Sequence, residues 1–267
     1  MKGIVLAGGS GSRLSPLTDI ISKHLLPVYN KPMIFYPLSI LIDSGIKEIL
    51  IISTEEHIGL YKSVLDRQDF GGVDLSYCVQ KAPNGLPEAF IIGEEFIGDD
   101  NVTLILGDNL FVGTGVSERI SDIGEVDGGV IFGKRVPDPE RFGVAVTDEY
   151  GNVMALEEKP ENPQSDLAVV GLYVYDSSVV ERSKNLSPSK RGELEITDLN
   201  LSFLNDQKLK LIQLDNSVTW LDTGTFDSLL EAGQIMKNYN ILYNEIFNEK
   251  CNLFLEHYPI FWIILLT

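Results

Sequence analysis

Cysteine and histidine are almost missing from this chain, with two of the first and three of the second among 267 residues. Cys78 and Cys251 form no C-x-x-C pair, and His24, His57 and His257 fall in no H-E-x-x-H string. No G-x-S-x-G elbow occurs either, so zinc chemistry and hydrolysis by a catalytic triad have no support. Sparse cysteine with no signal-peptide pattern ahead of it fits a reducing, cytoplasmic setting. Basic charge is also short: 39 acidic residues outnumber 21 basic ones, for a formal net charge of -18. Such a field repels nucleic-acid backbones and anionic lipid, so no nucleic-acid partner is expected. A small anionic substrate, held by a few local lysines and arginines and offset by a divalent metal, remains open. Long hydrophobic runs are lacking too. The tail Tyr258-Pro-Ile-Phe-Trp-Ile-Ile-Leu-Leu-Thr267 is about half of what a bilayer crossing needs; it reads as a segment docked on the protein or a partner subunit, with no membrane partner.

What is present starts at the N-terminus. An apolar strand-like run leads into Leu6-Ala-Gly-Gly-Ser-Gly-Ser-Arg-Leu14, followed by Ser22-Lys-His-Leu-Leu-Pro-Val-Tyr-Asn-Lys-Pro-Met33. Glycines let the backbone bend and aim N–H groups at phosphate oxygens, and Arg13, Lys23 and Lys31 put positive charge within reach of the same loop. The spelling is neither a P-loop nor a dinucleotide fingerprint, because no G-x-x-x-x-G-K-[ST] occurs and Gly9-Ser-Gly11-Ser-Arg-Leu14 lacks the third glycine. A nucleoside triphosphate site is the sharper reading; a tight strand-to-helix turn is the plainer one, and it gives Arg13 nothing to do.

Along the chain, apolar runs predict strands over 2–6, 47–53, 74–80 and 101–106, and helical spacing predicts helices over 33–45, 55–67 and 87–96. That alternation implies a mostly parallel sheet with helices on both faces. Beyond Asp108 the texture is mixed. Strands are predicted over 128–134, 144–147, 153–158, 168–175 and 208–214, with a hairpin signal at Glu149-Tyr-Gly-Asn152 and helices over 193–205 and 226–238. Length and the lack of a linker favour one domain over residues 1–240, made of a nucleotide-binding half (1–110) and a mixed half (111–240), with a tail over 241–267.

Ligands gather at the carboxyl ends of strands in such sheets, and several candidates fall there. Gln80 is followed by Lys81-Ala-Pro-Asn-Gly-Leu86, a turn able to offer an amide and backbone groups to a base edge, or simply a loop. Asp108 follows a buried strand and Gly107, and Asp222 sits in Trp220-Leu-Asp-Thr-Gly224. Either acid alone also fits a turn or cap, whereas together beside a triphosphate loop they suit Mg²⁺, which takes one or two protein oxygens and the rest from phosphates and water. Glu158 and Lys159 close a strand before Pro160; a carboxylate suits sugar hydroxyls and an ammonium a phosphate, or the pair is a solvated strand end. Arg191 precedes a helix-like stretch, as a phosphate clamp or as part of a capped start.

Taken in order, these strings, with Leu106-Gly-Asp-Asn109, Leu156-Glu-Glu-Lys-Pro160, Arg191-Gly-Glu-Leu-Glu-Ile-Thr-Asp198 and Trp220-Leu-Asp-Thr-Gly-Thr225, resemble the sugar-nucleotide pyrophosphorylases, in particular the glucose-1-phosphate thymidylyltransferase branch. The resemblance runs from the N-terminus to about residue 238. It implies an α/β, Rossmann-like three-layer fold with a mixed, mostly parallel central sheet. It also implies Mg²⁺-dependent transfer of dTMP from dTTP to glucose 1-phosphate, a first step toward dTDP-linked deoxysugars. A UTP-using enzyme and a non-catalytic regulatory protein on the same fold are the alternatives. By the resemblance, Leu6, Gly8, Gly11, Ser12, Arg13 and Lys23 hold the nucleotide, and Gln80 with Gly85 reads thymine. Asp108 and Asp222 ligate Mg²⁺, with Arg13 and Lys23 also catalytic. Asn109, Gly143, Glu158 and Val169 contact the glucose, and Lys159 and Arg191 its phosphate. Ser12 stands where the family commonly has threonine. The family's homo-tetramer and feedback site draw on a longer C-terminal segment, which 241–267 does not resemble.

Overall fold

In chain order the first half contains β1 (Lys2–Ala7), the hairpin β2 (Pro27–Val28) and β3 (Lys31–Pro32), α1 (Phe35–Asp43), β4 (Glu48–Ser53), α2 (Ile58–Leu65), β5 (Asp74–Val79), α3 (Glu88–Ile92), α4 (Glu94–Ile97) and β6 (Val102–Leu106). The second half continues with β7 (Asn109–Gly113), α5 (Val116–Ile123), β8 (Gly129–Arg135), β9 (Gly143–Thr147), β10 (Val153–Glu158), β11 (Leu167–Tyr175), α6 (Val179–Lys184), α7 (Ile196–Asn205), β12 (Leu209–Gln213), β13 (Val218–Asp222) and α8 (Phe226–Lys250). The computed structural model describes residues 1–9 and 11–250, with 241–250 as backbone only. The docking expected of the apolar tail lies outside the described residues.

The central sheet is mixed, as the sequence predicts. Its order is β10-β9-β11-β6-β1-β4-β5, with β8 on β11 and β12 on β8. The half built from β6, β1, β4 and β5 is parallel; β11 then joins β6 antiparallel, and β8, β9 and β10 extend the antiparallel part. Burial explains the sequence pattern. β1 and β4 are covered on both faces, so they read as unbroken apolar runs. Alternate residues then serve two cores: Val5, Ile49, Ile51 and Ile105 pack with Leu38 and Leu41 of α1 and Tyr61 and Leu65 of α2. Ile4, Leu50, Ile52 and Leu104 pack on the other face with Phe90 of α3, Val179 of α6 and Phe203 of α7. A third, smaller core joins Val28 and Met33 by the hairpin, Leu110 and Val112 of β7, and Ala232 and Met236 of α8.

Several elements differ from expectation. The helix predicted over 87–96 breaks at Gly93, where a side chain would crowd Ala89 O at 3.0 Å and Ile4 Cδ1 at 3.2 Å. α7 starts at Ile196 instead of 193, because Glu195 is extended (φ -91°, ψ 133°). α5, α6 and the antiparallel pair β7–β13 have no counterpart in the predicted elements. α8 runs past residue 238 to Lys250.

Candidate active site

Strand order reverses about β1. β4 and β5 lie to one side and β6 to the other, so the chain leaves β1 and β6 in diverging directions and opens a crevice at their carboxyl ends. Gly107 stitches the two ends together by donating its N–H to Leu6 O at 2.9 Å. A Cβ at 107 would meet His24 Cδ2 at 2.8 Å, so glycine is what lets the second string, Ser22-Lys23-His24, pack against the end of β6. The loop after β1 is folded on itself: Gly11 is left-handed (φ 59°), and its carbonyl accepts from Thr18 Oγ1 at 2.8 Å and Leu14 N at 2.8 Å. The loop after β5 meets the second half of the chain at Gly85, which bridges Leu194 so closely that a Cβ would stand 2.0 Å from Leu194 O.

Three adjoining clefts open at this crevice, and Asp108 lines all of them. The first, about 200 Å³, has Leu6, Gly8, Gln80 and Gly85 in its wall with His24 and Leu86. The second, about 250 Å³, is lined by Gly8, Gly11, Ser12, Arg13 and Lys23, with His24 and Gly224. The third, about 440 Å³, is lined by Arg13, Asn109, Gly143, Glu158, Lys159, Val169 and Asp222, and by Arg141, Phe142, Thr197 and Trp220. Arg191 is held one residue back. Its Nη2 lies 2.6 Å from Glu195 Oε2 and 3.2 Å from Glu158 Oε1, so it reaches the third cleft through Glu158. Lys31 is not brought to these clefts; its ammonium lies over the Tyr36 ring, 5.0 Å from the centroid.

Much of the charge at the site is paired. Lys23, only 7% exposed, places Nζ 2.6 Å from Asp108 Oδ2. Burial alone would raise the Asp108 carboxyl, but the Lys23 ammonium, His24 and hydrogen bonds from Lys23 and Asn109 hold it at about 2. Asn109 has a fixed amide. Its Oδ1 accepts from Trp220 Nε1 at 2.7 Å and Gly171 N at 3.0 Å, which turns Nδ2 to Asp108 Oδ1 at 2.9 Å. Asp222 pairs across the β7–β13 ladder with Asn109, and Arg141 Nη2 lies 2.9 Å from its Oδ2. Glu158 accepts from Thr197 Oγ1 at 2.6 Å. Lys159 sits in the left-handed region (φ 44°), with its N–H donated to Phe142 O at 3.0 Å; this turn ends β10 and keeps Glu158 and Lys159 on the same cleft. His24 is buried with Nδ1 3.2 Å from Tyr61 Oη and 3.3 Å from Ser22 Oγ, and burial drives its pKa down to about 4, so it is neutral near pH 7.

The donor set fits Mg²⁺ better than a metal that needs a full protein cage. Asp108 and Asp222 come from the facing ends of β7 and β13, where Thr223 Oγ1 donates to Asp108 O at 2.9 Å. Among the described residues no group of three or more His, Cys, Asp or Glu is poised to hold a metal, and two carboxylates beside phosphate-sized clefts are what a hard ion completed by phosphates and water uses. Gly224 keeps that approach open. A Cβ there would stand 2.8 Å from both Asp222 Oδ1 and Arg13 Nη2.

Sequence reasoning did not single out His24, Arg141, Thr197 or Trp220 as site residues. Arg141 carried a signal, being two positions ahead of Gly143 in Pro139-Glu-Arg-Phe-Gly143; Trp220 and Thr197 lie inside strings already read as motifs. The cleft partners of Arg141, Thr197 and Trp220, namely Asp222, Glu158 and Asn109, are distant in sequence.

A family model described as nucleotidyl transferase matches residues 2–238. The glucose-1-phosphate thymidylyltransferase of Neisseria gonorrhoeae is 51% identical over 246 residues, 91% of this chain and 85% of its own length. The one from Mycobacterium tuberculosis H37Rv is 46% identical over 237 residues, covering 89% of this chain and 82% of its own. Among solved structures, a Bacillus anthracis chain assigned as a glucose-1-phosphate thymidylyltransferase, crystallised with sucrose, superimposes with TM-score 0.81 at 41% identity over 88% of this chain and 94% of that one. A UDP-glucose pyrophosphorylase bound to UDP-glucose, 24% identical, shares the fold with TM-score 0.75 over 89% of this chain and 98% of its own. On the strength of that match and of a crevice placed where the fold gathers phosphates, this chain belongs to the nucleotidyl transferase family.

Proposed function

We propose that the chain transfers dTMP from dTTP to α-D-glucose 1-phosphate, giving dTDP-glucose and pyrophosphate. One observation carries this reading: Arg13, Lys23 and Asp108 meet in a cleft beside the β1 loop, and Arg13 and Asp108 also line the adjoining cleft walled by Glu158 and Lys159. Two anions bound in adjoining clefts can react directly, and no nucleophilic side chain is needed. A phosphate oxygen of glucose 1-phosphate attacks the α-phosphorus of dTTP in line, and pyrophosphate leaves from the opposite side.

The residues divide accordingly. Leu6, Gly8, Gln80 and Gly85 hold the base and deoxyribose end, and Gly11, Ser12, Arg13 and Lys23 hold the triphosphate. Arg13 and Lys23 oppose the charge that moves onto the leaving group. Asn109, Gly143, Glu158 and Val169 orient the glucose ring, while Lys159, with Arg191 behind Glu158, faces its phosphate. Fixing two reactants in one geometry supplies much of the rate. Asp108 and Asp222 would hold Mg²⁺, which when bound shares the charge of the phosphate oxygens. No helix of the described residues is long and apolar enough to cross a membrane. In this reading, residues 1–240 act as one domain in the cytoplasm, in a homo-oligomer.

The test is pyrophosphate release from a matrix of nucleoside triphosphates and sugar 1-phosphates. The reading expects dTTP with glucose 1-phosphate to exceed every other pair. Faster release with UTP would transfer the assignment to a uridylyltransferase, since one methyl group separates the two bases, and binding without release would make the chain a sensor.

A further inference from the structure

We infer that Glu88 is a positioning residue that fixes which face of the Gln80 amide the base cleft presents, and that it thereby selects pyrimidines carrying an N–H at position 3. The inference rests on the thymidylyl reading above and extends it to a residue outside the cleft wall. Gln80 is 6% exposed, with its side chain at the end of β5 beside Gly8 and Gly85. Its Nε2 donates to Glu88 Oε2 at 2.7 Å and to Gly85 O at 3.3 Å. An ionised carboxylate only accepts, so Glu88 dictates that the NH₂ of Gln80 turns toward α3. The second oxygen of Glu88 is also engaged, accepting from Asn84 Nδ2 at 2.7 Å, which ties the carboxylate to the loop that closes the base cleft.

The consequence lies on the other side of the amide. Oε1 of Gln80 faces Gly8, so near that a Cβ on residue 8 would stand 2.7 Å from it. The cleft therefore presents a buried acceptor. Thymine and uracil offer an N3–H donor to it, whereas cytosine offers an N3 lone pair, leaving two acceptors opposed and the amide unsatisfied. A glutamine whose two ends were free to exchange would read both kinds of base; the carboxylate on α3, by the shorter of the two bonds that Nε2 donates, is the main restraint on that freedom, with Gly85 O the weaker one.

The experiment measures equilibrium binding of dTTP, dCTP and dATP by calorimetry in EDTA, without sugar phosphate, for the unmutated chain, Glu88→Leu and Glu88→Lys. Leucine removes the charged acceptor, and lysine offers only donors, which favours the reversed amide. The dTTP-to-dCTP affinity ratio is expected to fall about tenfold in Glu88→Leu, one hydrogen bond's worth, and further in Glu88→Lys. Simple loosening of α3 would weaken both nucleotides together and leave the ratio alone. A ratio within about twofold of the unmutated value in whichever variants keep the native circular dichroism overturns the inference. An unmutated chain that prefers a purine triphosphate or binds neither pyrimidine overturns the thymidylyl reading instead, so the two failures are distinguishable.

Discussion

Replacing His24 by glutamine should flatten the acid side of the stability profile. Burial lowers the imidazole pKa from 6.5 to about 4; Asp108 opposes the shift, and Lys23 and His57 add to it. Because the folded pKa lies below the unfolded one, the unfolded chain takes up the proton first, and stability is lost as pH falls from the unfolded value toward the folded one. With those two values, moving from about pH 7.5 to about pH 5 costs about 2 kcal/mol through this ring alone. For a protein of this size that corresponds to roughly 4–8 °C in Tm. Glutamine does not titrate and still offers Ser22 and Tyr61 a polar partner. Asp108, held at about 2, gives up its own contribution only below the window. Asp43 and Asp198, whose pKa values burial raises, contribute with the opposite sign and equally in both proteins. Urea unfolding at the two pH values should therefore show the unmutated chain losing about 2 kcal/mol more than the variant. Equal losses would refute the buried, neutral histidine.

Other perturbations read the site more directly. Arg13→Ala should lower turnover by about 10²-fold or more, as loss of a charge stabiliser does; near-normal pyrophosphate release would remove Arg13 from the chemistry. Lys159→Ala should chiefly raise KM for glucose 1-phosphate, and a defect confined to the KM for dTTP would contradict its place facing the sugar phosphate. Arg141→Ala frees the Asp222 oxygen now 2.9 Å from the guanidinium. Mn²⁺ affinity, followed by the electron paramagnetic resonance of the free ion, should rise about two- to fivefold; weaker binding would show that Arg141 supports the metal carboxylates instead of competing for them.

What the sequence discloses of this molecule follows from how its parts are stabilised. β1 and β4 are legible because a strand buried on both faces needs an apolar residue at every position. β7 and β13 are not: Asn109-Leu-Phe-Val-Gly113 and Val218-Thr-Trp-Leu-Asp222 are short, polar at one or both ends, and find each other across more than a hundred residues. Yet that pair carries the site, since it brings Asp222 beside Asp108 and hands Trp220 Nε1 to Asn109, 111 positions away. α5 is hidden for a related reason, as only Val116 and Ile120 of its eight residues are fully buried.

The same division runs through the site. Residues that line the clefts through a strand end or a glycine turn, such as Gly8, Gly11, Asp108 and Glu158, stand in compact strings, because the backbone that places them is local. Residues that act by holding another side chain do not. Glu88 holds Gln80 and Arg141 holds Asp222; each is an ordinary helix or turn residue until its partner is known. Nor does a motif disclose charge balance. Lys23 on Asp108 and Arg141 on Asp222 mean that both carboxylates are already neutralised by cations of this chain. A triphosphate that draws Lys23 and Arg13 to itself must break one pairing to make another, so its affinity is a difference between two sets of ion pairs. That exchange gives a reason for the acid and the base to be neighbours before any substrate arrives: Lys23, 7% exposed, would otherwise be a buried charge with nothing to hold it in place.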